Sequence, residues 1–475
     1  MAGDIPLDEF ENALRRTAQK LSDYLGGVER FPVLPKLEPG EIGRALPDEP
    51  PRAGESLDSI LDDYERLIEP NVTHWNHPGF MAYFAISGSG PGVIGEALAA
   101  GLNVNAMKWQ SSPAATELEL KVCDWLRQMI DLPETFRGHI NDTASTSTLL
   151  ALAAARHRRI PAVRELGISA AGDMCVYASE QAHSSVDKGA MVLGFGLDNV
   201  RHIAVNERFE LRPEALADAI ESDLEAGKIP LAVVATIGTT STTSVDPVEA
   251  IAAVCGRHGL WLHIDAAYAG SAAICEEMRP LFRGWERADS IVVNPHKWLF
   301  TPVDCSVLYV RDLSGWHDAF SLVPAYLRSS EGGVDLMDLG FQLGRRFRAL
   351  KLWMVIRAFG VEGLAERIRS HCAMARELAA WIDDSPDFER VAAVPFSTVC
   401  FRALAAGATP EEEDQLNEQL MRRLADEGSV FVTQTQLRGR FVLRAAIGNI
   451  KTGREHVQRL WRLLVRSASA QRALG

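Results

Sequence analysis

Two short segments put an acid and an amine where they can act on one ligand. "HIDAAYAG" at 263–270 carries Asp265 and "NPHKWL" at 294–299 carries Lys297, and each directly follows an apolar, β-type run. Side chains at the ends of strands of one sheet converge on the crevice beyond the strand C-termini. A carboxylate and an amine there suit pyridoxal phosphate: the lysine forms a Schiff base with its aldehyde, and the carboxylate pairs with the protonated pyridine nitrogen, making the ring an electron sink. Neither residue carries this reading alone, because an Asp after a strand is ordinarily a turn or cap residue and a Lys ordinarily a solvated surface group. Their shared setting does. Ala266, Ala267, Ala269 and Gly270 leave room for a flat ring, with Ala267 placed to pack beneath it.

Two further segments fit the same ligand. In "NDTASTSTLLALAAAR" at 141–156 small hydroxyl residues lead straight into a helical pattern. A helix N-terminus offers unpaired N–H groups and partial positive charge, so Thr143, Ala144 and Ser145 form a candidate phosphate seat, with ordinary N-capping as the bland alternative. In "SEQAHSSVDKGA" at 179–190, His183 falls at another strand end, placed to stack on a pyridine ring and reach the substrate; a structural hydrogen-bonding role is the competing reading. "SGSGPG" at 87–92 lacks the spacing of a dinucleotide fingerprint. His74 and His77 in "THWNHPGF" form an H-x-x-H pair with no acidic or cysteine ligands nearby, so no metal site is assigned.

Positioning these groups requires a sheet. Short β-branched runs at 174–178, 231–237, 260–264, 290–293 and 306–310 alternate with helical patterns at 114–129, 147–159 and 247–258. The runs are too uniformly apolar for one-sided strands, which predicts an α/β fold with a mostly parallel sheet and helices on both faces. The strand-helix-strand unit from Pro230 to Ile264 delivers Thr236 and Asp265 at its two strand ends. Residues 1–30 read as an amphipathic helix. The six prolines between Phe31 and Arg52 mark an extended connector, and a long helical stretch from Ala349 to Asp383 opens a smaller α/β region with strands near 397–401 and 441–446.

Composition narrows the classes. The 475 residues carry 49 Lys+Arg against 63 Asp+Glu, a net charge of −14, which disfavours a nucleic-acid binder because phosphate-backbone affinity comes from basic residues. The seven cysteines are odd in number, scattered and free of C-x-x-C pairs, which suits a reducing cytoplasmic setting. The acidic start and the lack of any apolar run near ~18 residues lead us to expect neither export signal nor membrane span.

The segments "NHPGFMAYF", "SSPAATELE", "TASTSTLLAL", "SEQAHSSV", "WLHIDAAYAGSA", "NPHKWL" and "LGRRFRALKLW", in this order, resemble the pyridoxal-phosphate amino-acid decarboxylases of the aromatic L-amino-acid, tyrosine and histidine group, from about residue 5 to 470. The resemblance implies a fold-type-I homodimer with a seven-stranded-type central sheet. It divides the chain into an N-terminal clasp (1–85), a large cofactor domain (86–350) and a small C-terminal α/β domain (351–475). It makes Lys297 the Schiff-base lysine, Asp265 the partner of the pyridine nitrogen and His183 the ring-stacking histidine. Ala144 and Ser145 match phosphate contacts, Thr236 a cofactor-contacting threonine, and Asn294 and His296 residues flanking the phosphate. Trp75, Tyr83 and Phe84 match aromatic residues near the substrate. The implied reaction is loss of CO₂ from an L-amino acid, with the Cα–carboxylate bond held perpendicular to the ring.

Two positions depart from the family pattern. The usual loop tyrosine, assigned to Cα protonation, falls near Leu336 in "GGVDLMDLG", while Tyr326 in "PAYL" matches a different tyrosine. Loss of that hydroxyl is associated with reaction of the carbanionic intermediate with O₂, so the resemblance leaves two products open, an amine or an aldehyde. Ile86 stands where a polar pocket residue is common, which favours phenylalanine, tryptophan or an aliphatic substrate over a catechol. An aminotransferase, with Arg444 holding a carboxylate, and a non-catalytic homologue are the competing readings.

Overall fold

The computed structural model describes residues 3–322 and 334–472. Its frame is a seven-stranded sheet of β1 (Arg137–Asn141), β2 (Met174–Ser179), β3 (Val200–Ile203), β4 (Ile229–Thr236), β5 (Trp261–Asp265), β6 (Ser290–Val293) and β7 (Ser306–Val310), in the order β1-β7-β6-β5-β4-β2-β3. The pairs β6–β5, β5–β4, β4–β2 and β2–β3 are parallel, and only β7 runs against its neighbours. Every residue of β2, β5, β6 and β7 is buried. Alternation explains this: Val233 and Ala235 enter one apolar cluster while Ala232 and Val234 enter the other, so helices must cover both faces.

The covering helices end where local chemistry directs. Ala144–Arg159 carries Arg156, His157, Arg158 and Arg159 in its last turn, where cations offset the negative end of the helix dipole. Val248–His258 stops at Gly259, whose φ of 65° suits a residue without a Cβ. The helix Ala349–Asp383 is interrupted at Gly360, with φ 65° and ψ 172°. A second sheet holds β8 (Phe388–Arg390), β9 (Thr398–Ala403), β10 (Thr433–Leu437) and β11 (Arg440–Ala446) in the antiparallel order β10-β11-β9-β8.

At the N-terminus the helix Leu7–Gly27 precedes the proline-rich connector, which contains a short helix at Glu41–Ala45 that proline content alone conceals. The connector is tied down: Val33 is fully buried, its N–H donates to the Gly428 carbonyl (2.8 Å), and its carbonyl accepts from His74 N–H (2.9 Å). Strands β1, β3, β8 and β10 escape sequence reading. They are short or, in β10 (TQTQL), polar, with no apolar run to signal them.

The turn Leu336–Leu339 holds the residue that the family resemblance sets at the loop-tyrosine position. Leu336 is fully buried in the cluster that contains Leu150 and Trp316, and its turn is pinned by Met337 N–H on the Met107 carbonyl (2.8 Å) and by Trp316 Nε1–H on the Leu339 carbonyl (3.0 Å). Position 336 is a core position, so a hydroxyl there would meet apolar packing. Tyr326 and the 325–333 part of the proposed 325–343 loop lie outside the described residues.

Candidate active site

Register alone brings the principal groups together. Thr236 at the end of β4 pairs with Asp265 at the end of β5, and Asp265 pairs with Val292 of β6, one residue before the strand's end. Asn294 and Lys297 follow directly, Lys297 within the short helix Pro295–Trp298, and His183 lies in the turn after β2. A cavity of about 390 Å³ opens at these strand ends. Lys297, His183, Tyr83 and Phe84 line it, joined by Thr240, Ser241, Thr433, Gln434, Thr435 and Arg444.

Each side chain has a defined setting. Lys297 Nζ stands 5.2 Å from the Phe84 ring centroid. Burial of the surrounding cavity pushes its amine below the ordinary lysine value, opposed by the Asp265 charge and reinforced by Arg444. Asp265 Oδ1 accepts the Ala267 N–H at 3.0 Å, which fixes the carboxylate. His183 Nδ1 accepts the Ser185 N–H at 3.1 Å, so a neutral ring carries its proton on Nε2. Desolvation lowers the pKa of that ring, with Asp265 opposing and Lys297 adding to the shift. His296 is buried, and its Nδ1 accepts the Cys305 N–H at 2.9 Å. Burial, with nearby Lys297 next, pulls it down to about 3, so it is neutral at pH 7.

The residues fit the phosphorylated pyridine aldehyde that Asp265 and Lys297 suggest. Thr236 Oγ1 and Asn294 Oδ1 are buried polar atoms without a hydrogen-bond partner, at the strand ends beside Asp265 and Lys297. The helix Ala144–Arg159 begins after an extended Thr143 (φ −134°, ψ 162°) that makes no side-chain cap, leaving the first-turn amides of Ala144 and Ser145 available to an anion. Ala267 is buried between Asp265 and the Asn294 N–H, which donates to the Ala267 carbonyl at 3.0 Å.

Not every residue expected near the substrate lines this cavity. Trp75 stands behind Tyr83, their rings 5.7 Å apart at 20°, and Ile86 is not among the lining residues. His74 meets Tyr24 Oη (3.0 Å) and His77 Nδ1 accepts the Gly79 N–H (2.9 Å), so both histidines serve local structure.

Arg444, which sequence reading gave a carboxylate-holding role only in the aminotransferase alternative, lines the same cavity. It is 3% exposed; Nε donates to the Ser241 carbonyl at 2.9 Å, Nη1 to the Tyr83 carbonyl, and Nη2 has no partner. Its guanidinium lies 4.6 Å from the Phe84 centroid. Tyr83 adopts a left-handed φ of 48°, uncommon for a bulky residue, and the Arg444 bond to its carbonyl helps hold it there. The polar wall of Thr433, Gln434 and Thr435 was missed, because β10 gave no strand signal.

Fold and site together define a fold-type-I pyridoxal-phosphate enzyme. The family model described as "Pyridoxal-dependent decarboxylase conserved domain" matches residues 39–404, and the chain belongs to that family. It is 40% identical over 461 residues to phenylacetaldehyde synthase of Arabidopsis thaliana, covering 94% of each chain. It is 40% identical over 473 residues to tryptophan decarboxylase 2 of Oryza sativa subsp. japonica, covering 97% of this chain and 95% of the relative. The structure of Oryza sativa TDC with PLP and tryptamine superposes with a TM-score of 0.96 at 38% identity, covering 99% of this chain and 100% of that one. This protein is thus a pyridoxal-phosphate-dependent amino-acid decarboxylase.

Proposed function

We propose that the chain decarboxylates an aromatic L-amino acid to its amine, with Lys297, Asp265 and His183 as the reacting and orienting groups. The observation that carries this is the meeting of these three residues at one set of strand ends, beside two unpartnered polar atoms and an open helix N-terminus. Pyridoxal phosphate, when bound, would be held at Lys297 and would supply the electron sink for the pair that the Cα–carboxylate bond releases.

The chain's own residues do the rest. The first turn at Thr143–Ser145, with Thr236, Asn294 and His296, would hold the phosphate and ring substituents, Asp265 would keep the ring nitrogen protonated, and Ala267 would pack against the ring. Desolvation favours the free-base amine at Lys297, the form that attacks a carbonyl. His183 presents Nε2–H to the substrate side. Arg444 Nη2, buried and unpaired, is suited to the substrate carboxylate, since a charge-assisted pair satisfies an otherwise orphaned donor. Phe84 and Tyr83 supply aromatic faces, in keeping with aromatic substrates.

A homodimer is supported by apolar side chains left exposed at helical spacing: Leu7, Phe10, Leu14 and Leu21 on the first helix, and Ile94, Leu98 and Leu102 on Gly90–Leu102. The division into a clasp (1–85), a large domain (86–350) and a small domain (351–475) is supported by two separate sheets, one within 137–310 and one within 388–446. A reducing, cytoplasmic location is supported by seven cysteines that are all buried and unpaired; among the described residues no helix is long and apolar enough to cross a membrane.

The relatives include an aldehyde synthase, so a second product, aldehyde with ammonia and hydrogen peroxide at the expense of O₂, is the specific alternative. The deciding experiment incubates the holoenzyme with phenylalanine, tyrosine and tryptophan and measures CO₂, amine, aldehyde and peroxide together. Amine with CO₂ and no peroxide is expected. Stoichiometric peroxide and aldehyde would replace the amine reading, and 2-oxo acid without CO₂ would overturn decarboxylation.

A further inference from the structure

Behind Lys297 lies a buried array of rings that reaches the C-terminal part of the chain. Phe84 stacks on Tyr268 (centroids 3.8 Å apart, 13°), and Tyr268 stacks on Trp298 (4.5 Å, 8°), the residue after Lys297 in the same short helix. Trp298 Nε1–H donates to His371 Nδ1 at 2.9 Å, with the two ring planes 2° apart. A centroid separation of 6.4 Å with so short an edge-to-edge bond makes these rings coplanar neighbours, joined by the hydrogen bond. His371 sits on Ala349–Asp383, after the Gly360 break, and is 3% exposed.

The indole can only donate, so His371 Nδ1 must accept and a neutral ring carries its proton on Nε2. The Asn449 backbone takes the other hydrogen bond of the ring. Asn449 Nδ2 in turn donates to the Trp75 and His77 carbonyls, at 2.7 and 3.0 Å. Three distant stretches of chain therefore meet at one imidazole: the Lys297 helix, the C-terminal Asn449 turn and, through Asn449, the segment leading to Tyr83 and Phe84.

We propose that His371 is a positioning residue for Lys297: by holding the Trp298 indole it fixes the short helix and the ring array against which the lysine amine is presented to the cofactor. The inference rests on Lys297 being the lysine that binds pyridoxal phosphate. An amine held in line with its target needs little reorientation to react, whereas a lost acceptor leaves the buried indole N–H unsatisfied and frees Trp298 to shift.

The test compares His371→Leu, His371→Gln, Trp298→Phe and the double variant Trp298→Phe/His371→Leu. For each, the pyridoxal-phosphate dissociation constant and the absorbance and circular dichroism of the lysine-bound cofactor are measured, with kcat and KM at saturating cofactor and Tm as the structural control. His371→Leu should weaken cofactor binding and lower kcat about tenfold each, with KM for the amino acid little changed. Glutamine can both accept from the indole and donate to a carbonyl, so His371→Gln should recover most of the loss. The double variant, with no orphaned donor, should exceed His371→Leu. Should His371→Leu fail to fold, Trp298→Phe, which keeps an aromatic ring but removes the donor, should still shift the cofactor spectrum and lower kcat several-fold. Unchanged affinity, spectrum and kcat across the set, or Gln and Leu variants that are equally impaired, would overturn the proposal. Failure of the underlying reading is separate: wild-type protein would then form no borohydride-reducible bond at Lys297.

Discussion

At the scale of single residues, the site separates groups that sequence motifs expose from groups that only packing reveals. Lys297 and Asp265 sit in small-residue, strand-end segments that signal their role. Lys297→Ala should abolish the reducible cofactor linkage, seen as loss of the absorbance band of the lysine-bound cofactor, and lower kcat roughly a thousandfold or more. Arg444 stands in an ordinary apolar strand, and β11 points it between Ser241 and Tyr83 with Nη2 unpaired. Arg444→Lys keeps the charge but loses the planar fork, so KM for the amino acid should rise about tenfold while the cofactor spectrum persists. A kcat loss at unchanged KM would instead make Arg444 a support for Tyr83 alone. Leu336, at the position where the family resemblance sets a loop tyrosine, is fully buried in an apolar cluster.

At the scale of elements, close approach decides how helices carry the site. The helix Gly90–Leu102 packs on Ala349–Asp383 at Gly95, where an added Cβ would lie 2.7 Å from the Lys351 Cα. Lys351 is itself buried and paired with Glu96 at 2.6 Å, so neither backbone has room to yield. Gly95→Ala should destabilise the protein by about 1–3 kcal/mol, read as a lower Tm or denaturant midpoint, because overpacking a rigid contact forces a backbone shift. An unchanged midpoint would show that the two helices slide apart freely. The apolar strands were legible from their composition, and their bounds moved by only one or two residues. Polar β10 was not, because a strand that pairs at a sheet edge and presents Thr433–Thr435 to a cavity has no apolar alternation to display.

At the scale of the molecule, several imidazoles are held neutral in the interior. Burial draws His139 down to about 3 and His263 and His371 to about 4. A histidine whose folded pKa lies below its unfolded value of about 6.5 binds fewer protons when folded, so stability is complete above that value and declines as pH falls toward 4. Each such group should remove about 1.4 kcal/mol per pH unit across this window, reaching its limit only below the folded pKa. Thermal unfolding at pH 7.5, 6.5, 5.5 and 4.5 should therefore show Tm flat above 6.5 and falling steeply below it. His139→Phe, which removes one buried imidazole with both nitrogens unpartnered, should make the decline shallower. A Tm that rises on acidification would contradict the assignment of neutral interior histidines.

What the amino-acid order determined by itself was the local vocabulary: two-faced apolar strands, a helix start rich in small hydroxyl residues, and an acid and an amine each following a strand. These depend on neighbours a few residues apart, which is the range over which hydrophobic period and turn chemistry act. Tertiary structure alone decided which strand ends lie side by side, that Arg444 reaches the same cavity from a separate sheet, that position 336 is core, and that His371 closes on the tryptophan beside Lys297. Those facts come from pairing and packing between residues some twenty to more than two hundred positions apart, and no local pattern encodes them.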